Sequence, residues 1–125
     1  MPDSIDTGAL MSRSYALPAG PRVRLRLARR SDLPGLCALL QSRGIDPSDL
    51  ALSRLVRYDP WTRVVICATT PLGGTETIVG VGAIDLRDDS APDTMVVDER
   101  LTEGLGELLH SALVQRAGAH ARRVA

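Results

Sequence analysis

The stretch Val96–Ala117, "VVDERLTEGLGELLHSALVQRA", decides how the rest of the chain is read. A short β-branched segment passes through an acidic loop into Gly104-Leu105-Gly106. Leu105, Leu108, Leu109, Ala112 and Leu113 then fall on one face of a helix. A glycine inside a helix costs about 1 kcal/mol against alanine. Two of them at a helix start mark either a chain reversal, with Gly104 as N-cap, or a surface where a ligand lies against bare backbone. The first backbone N–H groups of a helix have no internal partner. With the helix dipole they form an anion site worth about 0.3–1 kcal/mol per charge.

Upstream, Val23, Leu25 and Leu27 alternate with Arg22, Arg24 and Arg26, the period of a half-buried strand. The arginines read as a solvated sheet face, with a basic patch as the alternative. Ser31 before "LPGLCALLQSR" predicts an N-cap, Leu33, Leu36, Cys37 and Leu40 form a helical stripe, and Gly44 closes the helix. Asp46-Pro47 predicts the start of a second helix whose buried side is Leu50, Leu52, Leu55 and Val56. Arg63–Thr69 is β-branched, as befits a strand buried on both faces. A Gly- and Pro-containing hairpin follows, then "TIVGVGAIDL", where Gly80 and Gly82 mark a bulge or a close neighbour, and then the strand "TMVV". The order β-α-α-β-β-β-α predicts an α+β fold over residues 22–125, a mostly antiparallel sheet flanked by helices. Residues 1–21 are Gly- and Pro-punctuated and aperiodic, and read as a flexible leader.

At 125 residues the chain holds one core. Its 15 basic residues, all arginine, balance 15 acidic ones, which argues against strong attraction to nucleic acid or anionic lipid. No apolar run approaches the roughly 20 residues of a bilayer-spanning helix. Cys37 and Cys67 are isolated in apolar segments and read as buried free thiols, consistent with a cytoplasmic protein. His110 and His120 cannot share a helix face cleanly, so no metal site is predicted. Tyr58 and Trp61 are expected to pack over the sheet edge or line a substrate mouth. Asp85, at a strand end, is the candidate catalytic base or amine anchor, or else a turn-starting aspartate.

Residues 22–125 resemble the GNAT superfamily of acyl-CoA-dependent N-acyltransferases. Three segments carry the resemblance: "VRLRLARRSDLPGLCALL", with Arg-x-x-Asp as Arg29–Asp32, then "IVGVGAIDL", and the opening stretch quoted above. The family's cofactor motif is Gln/Arg-x-x-Gly-x-Gly/Ala. Gly104 and Gly106 match its small positions, whereas Leu101 stands at the Gln/Arg position and Arg100 one residue early. The resemblance implies acetyl-CoA as acyl donor and a small-molecule or peptide primary amine as acceptor. The pyrophosphate would rest on Arg100 and the amides of Thr102, Gly104, Leu105, Gly106 and Glu107. The pantetheine arm would run beside Val96 and Val97, where backbone groups polarise the thioester carbonyl.

Three departures accompany it. Leu101 replaces a donor side chain. Asp98, Glu99, Glu103 and Glu107 surround the site, and a carboxylate about 8 Å from a phosphate charge costs roughly 0.5 kcal/mol in water-like dielectric. The chain ends at "AHARRVA", where the family continues into a fifth strand, a helix and a hairpin. The expectation is therefore a C-terminally truncated form of the fold, its open sheet edge covered by a second copy or a partner chain. The alternative function is a catalytically inactive GNAT-like interaction or regulatory module.

Overall fold

Five antiparallel strands lie side by side in chain order: β1 (Ser14–Ala16), β2 (Arg22–Leu27), β3 (Arg63–Leu72), β4 (Thr75–Asp85) and β5 (Thr94–Val97). Among the described residues three helices cover the sheet, α1 (Leu33–Ser42), α2 (Asp49–Val56) and α3 (Thr102–Val124). The structure is a computed structural model that describes residues 14–17, 22–59, 61–72, 74–87, 91–98, 100 and 102–124. The α+β architecture follows from the periodicities. Val64, Ile66 and Ala68 of β3 pack against Leu105, Leu109 and Leu113 of α3. Val65 and Cys67 face the opposite way, onto Leu36, Leu39, Leu40 and Leu55 of α1 and α2. The central strand is therefore apolar on both faces, as its sequence requires.

One strand was not foreseen. Ser14–Ala16, within the segment read as leader, pairs with Arg22–Arg24, and Leu17 is buried beside it. Three residues are too few for a period to show, but Tyr15 and Leu17 close the rim of the α3-side core. Residues 1–13 lie outside the described residues.

The starts of α1 and α2 differ from the sequence reading. A 3-10 turn, Arg30–Asp32, precedes α1, and Asp32 rather than Ser31 stands at the N-cap position, its side chain making no cap bond to α1. Its carboxylate accepts the Arg29 amide at 2.9 Å and both guanidinium nitrogens of Arg26 at 2.7 and 2.6 Å, with 4% of the residue exposed. Burial pushes this carboxyl up, but the Arg26 bonds and the Arg29 amide outweigh it and hold the group below the usual carboxylate range. The motif Arg29–Asp32 thus fastens β2 to the root of α1. Helix α2 begins at Asp49 rather than at Asp46-Pro47, because the Ser48 amide first closes a turn onto the Asp46 carbonyl. Gly44 ends α1 as expected: it adopts φ +72°, and the amides of Gly44 and Ile45 bond the carbonyls of Gln41 and Leu40.

Among the side chains, Tyr58 donates its hydroxyl to the Ala28 carbonyl at 2.9 Å, whereas Trp61 is 75% exposed in the turn before β3 and covers nothing. Both cysteines are free. Cys67 is fully buried, and that burial pushes its thiol up to about 12, while Cys37 is half-buried.

Strand β4 carries both features its glycines suggested. Ala68 pairs with Gly80 and Thr69 with Ile78, so Val79 is an extra residue in a β-bulge. The bulge turns Val79 and Gly80 together toward α3. A Cβ built on Gly80 would lie 3.0 Å from Leu109 Cδ1, and one on Gly82 2.7 Å from Leu113 Cδ1. The leucines of α3 occupy the space that side chains on β4 would fill. Replacing Gly82 by valine should lower stability by about 1–3 kcal/mol, the usual overpacking penalty, seen as a lower urea midpoint. An unchanged midpoint would show that α3 does not press on β4.

Candidate functional site at the free edge of the sheet

Among the described residues, strand β5 is the last in the sheet and pairs on one side only: Gly80 with Val97, Val81 with Val96, Gly82 with Met95 and Ala83 with Thr94. The Asp98 amide extends the ladder onto the Val79 carbonyl at 2.7 Å. Backbone groups in an antiparallel ladder alternate in direction. With Asp98 facing β4, Val96 also faces β4, and the N–H and C=O of Met95 and Val97 face the free edge. Of the two valines singled out in the sequence, Val97 presents its backbone to the edge and Val96 spends its own on pairing.

From β5 the chain turns into α3 at Asp98. The Asp98 carboxylate accepts the Arg100 amide at 2.9 Å and its guanidinium at 3.0 and 2.8 Å. The Arg100 bond holds this carboxyl below its usual range in spite of partial burial. Arg100 and Asp98 therefore neutralise each other beside the helix start. Glu99 and Leu101 lie outside the described residues, as do the side chains of Thr102 and Glu103.

Helix α3 starts at Thr102, three residues before the Leu105 start that a Gly104 cap implies. Orphan amides belong to a helix's first turn, so Gly106 and Glu107 lie where N–H groups bond carbonyls one turn back. The two glycines then separate. Gly104 adopts φ +84°, a left-handed conformation that only glycine takes at low energy. Gly106 has no positive φ, and a Cβ built on it would meet nothing within 4 Å. Neither backbone geometry nor packing requires a glycine there. Leu105 between them is fully buried under the sheet.

Gly106 instead forms part of the wall of a groove of about 610 Å³ between α3 and the β5 edge, with Pro92, Met95, Glu107, His110 and Ser111. His110 and Ser111 are adjacent on an exposed helix face, so they line the groove without forming a nucleophile–base pair. Met95, His110 and Ser111 were not foreseen as site residues. The spacing of 106, 107, 110 and 111 is nonetheless that of one helix face and was readable in the sequence. Beyond the sheet, a second cavity of about 500 Å³ opens between α1, α2 and β5, and Met95 lines both.

Asp85 stands apart. Its carboxylate accepts the Arg87 amide at 2.8 Å and the Arg87 guanidinium at 3.0 and 2.9 Å, which draws its pKa down to about 2. A carboxylate so weakly basic is a poor proton acceptor near neutral pH, and its geometry is that of a turn-former. Among the described residues no group of three or more His, Cys, Asp or Glu could hold a metal ion, and no helix is long and apolar enough to cross a membrane.

No family model and no curated protein matches the sequence. Among solved structures, the chain is similar to the crystal structure of the GNAT domain of S. lividans PAT. The TM-score is 0.60 at 21% identity, over 89% of this chain and 72% of that one. The likeness establishes the fold: the chain is built as a GNAT domain is.

Two outcomes are expected. Gly104→Ala should destabilise by about 1–2 kcal/mol through left-handed strain, whereas Gly106→Ala should stabilise by up to about 1 kcal/mol. Urea denaturation of the two variants reads the opposite signs, and equal effects would show that the glycines are equivalent. Asp85 should titrate near 2 in a carbon-detected NMR titration. Its stabilising contribution is complete above the unfolded carboxyl value and disappears as pH falls through 2; a midpoint near 4 would show that the Arg87 contacts do not form in solution.

Proposed function

We propose that the chain is an acyl-CoA-dependent N-acyltransferase, transferring an acetyl group from acetyl-CoA to a primary amine of a small molecule or peptide. The observation that carries this reading is Gly106. A glycine in the second turn of a helix forgoes about 1 kcal/mol of helix stability, and here no feature of the protein itself requires it. It bares a wall of the groove at the sheet edge, one turn from the orphan amides of α3. A bare helix wall beside unpaired N–H groups suits a pyrophosphate lying close to backbone.

On this reading the first-turn amides, Thr102 to Leu105, face the phosphates, with Gly106 and Glu107 below them. The Val97 backbone, turned to the free edge, lies beside the pantetheine arm and offers a hydrogen bond to the thioester carbonyl. Val96 holds that strand in register. Arg100, already paired with Asp98, contributes through the helix start that this pair shapes rather than as an independent cation. In the transfer, the amine nitrogen attacks the thioester carbon and the C–S bond breaks. The thiolate leaves, and the proton lost by the nitrogen balances its protonation. Asp85 is assigned no proton transfer. The same reading places the protein in the cytoplasm.

A second reading, a catalytically inactive interaction or regulatory module of the same fold, draws on one observation: the backbone groups of Met95 and Val97 suit a strand from a second copy or another chain equally well. Isothermal titration with acetyl-CoA separates the two. Under the first, the chain binds acetyl-CoA, and Gly106→Glu weakens binding roughly tenfold or more, about 1.4 kcal/mol, with the thermal midpoint retained. Absence of heat up to millimolar acetyl-CoA overturns it and leaves the interaction module.

A further inference from the structure

We infer that the bare part of the sheet face opposite α3 binds a small dipolar molecule, one whose carboxylate and ammonium groups are joined by a short chain. Helices α1 and α2 cover this face over Val65, Cys67, Val81 and Ala83. Beyond Cys67 it opens into a cavity of about 330 Å³, within the size range of small-molecule sites. Ser14 of β1, Arg22 and Arg24 of β2, Thr69 and Pro71 of β3 and Glu76 of β4 line it. Sheet register brings them together, since Ser14 pairs with Arg24, Arg24 with Thr69 and Pro71 with Glu76.

The three arginines that alternate along β2 differ in their engagement. Arg26 is spent on Asp32, and Arg22 holds the Ser14 hydroxyl and carbonyl at 3.4 and 3.3 Å. Arg24 is exposed and makes no hydrogen bond or ion pair among the described residues. On the cavity floor Thr69 is buried and donates its hydroxyl to Oε1 of Glu76 at 2.5 Å, which leaves Oε2 open to a further donor. Because β3 separates β2 from β4, the arginines and Glu76 stand two strand spacings apart at the backbone, about 9–10 Å. That separation selects the ligand. A simple anion drawn to the arginines meets Glu76, and a simple amine drawn to Glu76 meets the arginines. A molecule with both charges lays its carboxylate on Arg24 and Arg22 and its ammonium on Glu76, spanning Thr69 and Pro71. Each contact is weak alone, but the linking chain makes the second one intramolecular. The site lies on the face away from α3 and is independent of acyl transfer.

NMR titration of the full chain with 6-aminohexanoate at fixed ionic strength tests this, with hexanoate and hexylamine as single-charge controls. The dipolar probe should shift the amides of Arg24, Thr69 and Glu76 in a saturable manner, and each control should bind roughly tenfold more weakly. Arg24→Gln and Glu76→Gln should each weaken 6-aminohexanoate to about the level of a control. The first removes an exposed side chain and the second keeps an acceptor for Thr69, so both variants fold, as a retained amide spectrum verifies. Equal binding of hexanoate would show a merely cationic patch, and equal binding of hexylamine a merely anionic one. Either result overturns the inference, as does an affinity unchanged in either variant or the absence of any saturable shift.

Discussion

The close approach of α3 to β4 governs the rest of the molecule. Leu105, Leu109 and Leu113 sit where side chains at Gly80 and Gly82 would stand, so helix and strand lie nearer than residues with a Cβ would allow. Fully burying a leucine contributes about 1.5–3 kcal/mol, so this ridge is a large part of what holds α3 in place. Because α3 cannot slide without lifting a leucine out of its slot, its first turn is pinned beside the free edge of β5. Every functional proposal drawn from the edge groove inherits its geometry from that contact.

One of the acids around the same corner is neutralised by a neighbour. Asp98 is spent on Arg100, and the pair is nearly neutral as seen from the groove. Asp85 is likewise spent on Arg87, and Asp32 on Arg26. These three aspartates each fix a junction: strand to helix at Asp98, strand to turn at Asp85, and strand to helix again at Asp32. In each of these three pairs the arginine lies two or six residues from its aspartate.

Much of the architecture was legible because period and burial coincide. The alternation in Arg22–Leu27, the β-branched run of β3 and the leucine stripe of α3 each name one element without ambiguity. Helix starts were less legible. Ser31 and Asp46 are good caps by type, but the caps are decided by contacts outside the local sequence: Arg26 reaching across to Asp32, and a turn at Asp46–Ser48. The three-residue strand β1 was too short to carry a pattern. At the candidate site, Gly104-Leu105-Gly106 marked the start of α3, yet the difference between its glycines is one of φ and free space, which composition does not encode. The wall formed by Met95 depends on sheet order, a long-range property.

The bulge at Val79 sets an asymmetry in how β4 tolerates changes of length. Side-chain parity along a strand flips with each residue gained or lost. Val79 and Gly80 share a face, so loss of Val79 would restore simple alternation and leave Ile78, Gly80 and all that follow on the sides they occupy now. Loss of Val81 would instead bring Gly82 onto the face of α1 and send Ala83 toward the leucines of α3. Within one strand, a single codon deletion is thus either silent for the layering or inverts the part of the strand beyond it, according to whether it removes the bulge residue or one of the regularly paired residues.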